Sequence, residues 1–229
     1  MKLLAIDTSS VACTVAARVG ETLVQRHAEQ AREHTRLLMP MIREVLEESG
    51  IELADFDAIV LGNGPGSFIG MRIAASVAQG LAHGAGLQII PVSSLAAVAA
   101  QVFAESDAKE VAVAQDAHMG EVYLGLYARG EDGLPESIVA ERLQAQKRIG
   151  ELDRKGRDQR VAAGKGWRRY PGLMAVNEAF FSGQSKVLYP RAEYLLGLAE
   201  KLPAIEAQTI TPAYLRQKVA EKPATRITN

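Results

Sequence analysis

The sequence has a single cysteine, Cys13, so no internal disulfide can form and a reducing compartment is expected. No apolar run reaches the ~18 residues that a membrane span requires. The opening residues 1–6 meet Asp7 before the apolar region of a signal peptide could build. The expected location is therefore the cytoplasm, with no membrane partner. The four histidines (His27, His34, His83 and His118) form no His-x-x-x-His pair and join no Cys/His cluster, so no metal site is expected. No Gly-x-Ser-x-Gly elbow occurs, and no glycine-rich loop ends in Lys-Ser/Thr, so serine-hydrolase and P-loop chemistry have no local signal. Cys13 lies in an apolar run and reads as core. No residue is assigned a catalytic role. The formal net charge is −1, which excludes a protein that binds nucleic acid through its overall field.

Apolar character is plentiful, at 48% of 229 residues. That is enough for one large domain or two small lobes, burying about 70% of the unfolded surface. The spacing predicts strands over 2–6, 13–19 and 22–27 with tight connections. A helix over 34–49 carries Leu37, Leu38, Met41, Ile42, Val45 and Leu46 on one broad face, with Gly50 where a C-cap belongs. A short strand over 58–61 runs into Gly62-Asn63-Gly64-Pro65-Gly66-Ser67. Ser67 caps a helix from Phe68 to about His83. A strand over 88–92 and a helix over 94–105 follow.

The pattern then restarts. A strand over 110–115 ends at Asp116, as the first ends at Asp7. A turn at 117–120, a strand over 121–128, a turn at 130–133 and a strand over 137–142 complete a second meander. A helix over 145–153, a strand over 160–163 and a helix over 192–201 are predicted next. The tail from Pro203 is expected to be extended or mobile. A duplicated three-strand meander with crossover helices is the α/β, ribonuclease-H-like layout of the actin/sugar-kinase/Hsp70 class. The lobes are expected at 1–106 and 107–229.

Three segments could carry chemistry. Asp7, Thr8 and Ser9 close the first strand, and in the actin-like class such a hairpin offers amides and hydroxyls to phosphate; the alternative is an Asx turn satisfying its own backbone. Gly64 and Gly66 permit close backbone approach, either to an anion at the next helix start or to packing partners that let that helix sit deep. Between residues 142 and 169 there are ten Lys/Arg against Glu151, Asp153 and Asp158. Lys147, Arg148, Lys165, Arg168 and Arg169 are candidate contacts to a nucleic-acid phosphate backbone in that stretch, the alternative being a solvated surface.

Four segments in order carry a resemblance: 3–9 (Leu-Leu-Ala-Ile-Asp-Thr-Ser), 64–72 (Gly-Pro-Gly-Ser-Phe-Ile-Gly-Met-Arg), 116–123 (Asp-Ala-His-Met-Gly-Glu-Val-Tyr) and 212–216 (Pro-Ala-Tyr-Leu-Arg). Together they resemble the TsaB family, also called YeaZ, over essentially the whole chain. The family usually has Thr at Ile69, Leu at Met71 and Arg at His118. The resemblance implies an accessory subunit for N6-threonylcarbamoyladenosine at position 37 of tRNAs reading ANN codons. It implies TsaD as catalytic partner, TsaE as ATPase partner, and a homodimer of the chain alone. tRNA would be met through the complex. No cofactor is expected to bind tightly, and ATP or ADP is expected, if anywhere, at the interface within the complex. The catalytic relative carries a metal-binding His-x-x-x-His whose two ligand positions fall here on Ser94 and Val98, and neither Ser nor Val is a transition-metal ligand of use.

The resemblance also implies pairing through the first lobe. The expected interface is His34, Leu37, Leu38, Met41, Ile42 and Val45 with Phe68, Ile69, Met71 and Arg72. Its free patch is expected at Leu38, Met41, Ile69, Met71 and Arg72, because the apolar face of the first helix is broader than one buried stripe. The competing reading is an independent actin-like ATPase or small-molecule kinase. A peptidase lacks a nucleophile–base pair.

Overall fold

The computed structural model describes residues 1–216. Strand β1 (Leu3–Asp7) is buried along its whole length, which is why it reads as a continuous apolar run. It pairs antiparallel with β2 (Ala12–Val19), which pairs antiparallel with β3 (Thr22–Glu29). On its other side it pairs parallel with β4 (Ala58–Gly62), and β4 with β5 (Gln88–Val92). The sheet order is β3-β2-β1-β4-β5.

The crossover helices are α1 (His34–Ser49), α2 (Phe68–Ala85) and α3 (Ser94–Glu105). Gly50 takes a left-handed φ of 72° and its N–H closes on Leu46 O, ending α1. Ser93 caps α3 by accepting from the amides of Leu95 and Ala96.

The second sheet repeats the first. Strands β6 (Glu110–Asp116), β7 (Glu121–Arg129), β8 (Pro135–Ala145), β9 (Arg160–Ala163) and β10 (Gly183–Gln184) take the order β10-β9-β6-β7-β8. β6 therefore occupies the place of β1, and Asp116 the place of Asp7. The chain is a duplicated ribonuclease-H-like α/β protein of the actin class.

The division at 106/107 follows the sheets but not the helices. α3 packs Leu95, Val98 and Val102 onto the second sheet, against Val111 and Val113. The late helix α6 (Ala192–Ala199) packs Leu195 and Leu196 onto the first sheet, against Leu3, Ala5 and Val60. Thr14 Oγ1 accepts from Ala192 N at 3.0 Å and fixes that return. Each lobe thus lends a helix to the other. On the outer face of the first sheet, α1 and α2 close a core with Leu4, Ile6 and Val15.

Three sequence expectations change. No helix forms over 145–153: the segment turns irregularly so that Ile149 and Leu152 reach the second core. Asn177 satisfies that turn by accepting from Ile149 N and donating to Lys147 O. Two short helices that the spacing did not show, α4 (Lys165–Arg169) and α5 (Pro171–Asn177), cover the same core with Trp167 and Leu173. The tail is tied down as far as it is described: Ile205 bridges Ile89, and Ala207 and Ile210 are buried in the first core.

Candidate partner-docking face and inter-lobe cleft

Helix α2 begins at a close backbone crossing. Ser67 accepts from Gly70 N at 3.2 Å, while Ser67 N donates to Ser9 O. A β-carbon at Gly66 would collide with Ser9 O, and one at Gly70 with Thr8 O. The glycines are needed for packing, and α2 sits deep. Its inner positions Gly70, Met71, Ala74, Ala75, Ala78 and Ala82 are buried.

The opposite stripe of α2 is uncovered. Ile69 is 69% exposed and Phe68 38%, which decides that this helix start is a surface. With Arg72, Ile73, Ser76 and Val77 they line a shallow groove, continued by small residues at Gly80 and Gly84. Arg72 lies over the Phe68 ring, 3.8 Å from its centroid. Of these residues, Ile73 and Val77 were not among the sequence candidates. The spacing 69-73-76-77-80 marks them in hindsight as one helical stripe.

Helix α1 does not supply the remainder of the patch. Leu38, Met41, Ile42 and Val45 are buried in the core on the first sheet, His34 is buried beside the inter-lobe cavity, and Leu37 is partly buried. Met71 is likewise buried. The expected free patch of Leu38, Met41 and Met71 is therefore core. The physical reason is angular: positions 34, 38, 41, 42 and 45 form one stripe at 100° per residue, and a twisted sheet is wide enough to take it all. The exposed apolar side chain of α1 is Met39. The exposed remainder of the expected interface contracts to α2, at Phe68, Ile69 and Arg72.

The first hairpin is closed rather than open to a phosphate. Asp7 is fully buried. Its Oδ1 accepts from Ser9 N and its Oδ2 from Ser94 Oγ, each at 2.6 Å, and Gly62 leaves no space beside it. Burial pushes its carboxyl above the usual range, against the opposing pull of the bonds from Ser94 and Ser9. Thr8 Oγ1 donates to Gly70 O at 2.6 Å. Gly64 is buried against Met71 and Ala213. Asp7, Thr8 and Gly64 thus have their groups spent inside the chain, while Ser9 and Gly66 border the cleft.

That cleft is a cavity of about 630 Å³ between the lobes. Ser9, His34, Ile69 and Ile73 line it from the first lobe, and Asp116, His118, Lys165 and Arg169 from the second. Asp116, unlike Asp7, is partly exposed. It accepts from His118 N and Tyr170 OH, and Arg169 Nε lies 3.9 Å away.

The basic stretch splits. Lys165, Arg168 and Arg169 fall at the Asp116 end of the second sheet, and Lys147 and Arg148 follow β8 at the same end. Residues 154–160 fall at the opposite, Glu110 end. There Arg160 is buried between Glu110 and Asp153. Arg142 pairs with Glu151 and Arg157 with Asp158. Lys147, Arg148 and Arg168 are exposed.

Ser94 hydrogen-bonds Asp7, and Val98 is in the core between the lobes. Among the described residues no three His, Cys, Asp or Glu side chains gather as metal ligands. Cys13 is buried, and burial pushes its thiol up to about 12, far from a nucleophile's range.

The chain resembles known proteins over its whole length. A family model described as TsaD, tRNA N6-adenosine threonylcarbamoyltransferase, matches residues 21–218. The tRNA threonylcarbamoyladenosine biosynthesis protein TsaB of Escherichia coli K12 is 38% identical over 228 residues, covering 97% of both chains. The protein of the same name from Haemophilus influenzae is 38% identical over 236 residues, covering 97% of this chain and 96% of its own. The solved structure of YeaZ from Pseudomonas aeruginosa superposes with a TM-score of 0.83 at 34% identity, covering 93% of this chain and 99% of that one. A full-length match at this identity, with the duplicated fold and the ordered motifs, leaves one assignment: the chain belongs to the TsaB (YeaZ) family.

Proposed function

We propose that this chain is a non-catalytic subunit in the formation of N6-threonylcarbamoyladenosine at position 37 of tRNAs reading ANN codons. It docks the catalytic subunit TsaD through the outer stripe of α2, acts with the ATPase TsaE, and works in the cytoplasm. The same stripe joins two copies when the chain is alone. The single observation that carries this reading is the exposed Phe68–Ile69–Arg72 stripe on a helix whose other side is wholly committed to the core. An apolar helix face of this kind is an anchor for a partner. The use of Ser94 as a clamp on Asp7, in place of a metal ligand, supports the absence of a catalytic centre with its own metal.

tRNA meets the chain within the complex, through Lys147, Arg148, Arg168 and the cleft-side Lys165 and Arg169. ATP or ADP, where it binds, lies at the subunit interface. The test is tRNA modification by purified components, omitting each in turn. Product should need this chain and the catalytic subunit together. Product formed by this chain without the catalytic subunit overturns the reading.

A second reading, an independent actin-like ATPase or small-molecule kinase, is favoured by the cleft with Lys165 and Arg169 on its wall. Phosphate release from ATP and Mg²⁺ by the chain alone separates the two.

A further inference from the structure

The tail grips both lobes. On the first lobe, Asn63 Nδ2 donates to Thr211 O at 3.1 Å, and Gly64 packs against Ala213. Tyr214 packs on Phe68, with centroids 5.3 Å apart, and its hydroxyl accepts from Arg72 Nε at 2.7 Å. The guanidinium of Arg72 thus lies over the Phe68 ring and is held at its Nε by the Tyr214 hydroxyl, at the start of the docking stripe. Two residues on, Arg216 reaches the second lobe. Its Nη2 donates to Ala117 O at 3.1 Å, His118 O at 3.3 Å and Glu121 Oε2 at 2.6 Å. These acceptors belong to a turn in which His118, Met119 and Gly120 all take left-handed φ, at 60°, 54° and 79°. Two consecutive non-glycine residues there are costly, and the guanidinium collects the carbonyls that the turn points outward.

We propose that residues 211–216 form a two-point clasp in which Arg216, anchored on the 117–121 turn of the second lobe, holds Tyr214 against Phe68 and Arg72 and so sets the docking stripe of α2 in its binding conformation. Tyr214 and Arg216 are positioning residues for partner association. The inference rests on the α2 docking reading. It adds that the 117–121 turn of the second lobe controls the affinity of the first-lobe face. Arg72 and Phe68 are long or aromatic side chains at a helix start, and without Tyr214 their rotamers would be free. A pre-ordered anchor binds more tightly than one ordered on docking.

The experiment is a double-mutant cycle between Arg216→Ala and Glu121→Ala, read as the affinity for the purified catalytic subunit by calorimetry. Amide hydrogen exchange of residues 68–72 in the free chain is followed alongside. Each single variant should weaken binding about tenfold and speed exchange at 68–72. The double variant should bind no more weakly than either single one, because both break the same anchor. Tyr214→Phe, which keeps the ring, should bind more tightly than Tyr214→Ala. Additive losses in the cycle, or unchanged exchange at 68–72, overturn the clasp. Ile69→Glu run in parallel separates the two layers: if it binds like wild type, the docking reading itself fails. If it abolishes binding while the cycle shows no coupling, the clasp alone fails.

Discussion

Ser94 Oγ donates a 2.6 Å hydrogen bond to Asp7 Oδ2, joining the N-terminal turn of α3 to the end of the central strand β1. Asp7 is fully buried, and burial raises its carboxyl above the usual range. A carboxyl raised on folding is penalised once pH exceeds its unfolded value near ~4, and fully so above its folded value. Asp7→Asn keeps an acceptor for Ser9 N and offers an amide to Ser94 Oγ. It should be more stable than wild type at pH 7, and that gain should vanish below about pH 4. Urea denaturation at the two pH values checks this. A loss of stability at pH 7 would show that the charge is held by design.

Glycines on the two sides of α2 should respond with opposite sign. A β-carbon at Gly70 collides with the carbonyl of Thr8, so Gly70→Ala should cost about 2 kcal/mol or more despite alanine's helix propensity. Gly80 has open space around it, so Gly80→Ala should stabilise the monomer by about 0.5–1 kcal/mol. Thermal melts of both variants decide the matter, and a stabilised Gly70→Ala would refute the close crossing.

The sequence made the repeat readable because period-2 runs, Asp at each first strand's end and glycine turns are local signals. The exchange of α3 and α6 between lobes was not readable, since nothing in Leu95, Val98 or Leu195 says which sheet they will cover. The irregular 145–153 segment mimicked a helix through Ile149 and Leu152, whose three-residue spacing serves a loop pinned by Asn177. At the site, the α2 stripe was legible from Phe68, Ile69 and Arg72. The assignment of Leu38, Met41 and Met71 to the surface failed because burial depends on the width of the facing sheet. The clasp was visible as the motif 212–216, but its partners lie about 95–140 residues away in sequence, at Glu121 and Arg72.

If tRNA lies along the Asp116 end of the second sheet, charge reversal at Lys147, Arg148 and Arg168 should weaken tRNA binding by the assembled complex. The slope of log affinity against log salt should fall by roughly one for each phosphate no longer neutralised. Reversal at Arg154 and Lys155, at the opposite end, should leave it unchanged. Equal losses from both sets would indicate a diffuse field.

Two substitutions to glutamate divide the core from the docking face. Met41 is buried with Ile42 and Val45, so Met41→Glu should lower stability by about 3 kcal/mol or more through a buried charge. Ile69 is 69% exposed, so Ile69→Glu should melt like wild type. The most direct test is the affinity of folded Ile69→Glu for the catalytic subunit, measured by titration calorimetry. Docking through α2 predicts a loss of at least about 30-fold, the ~2 kcal/mol of a central anchor. Wild-type affinity in a variant with an unchanged melt would contradict it.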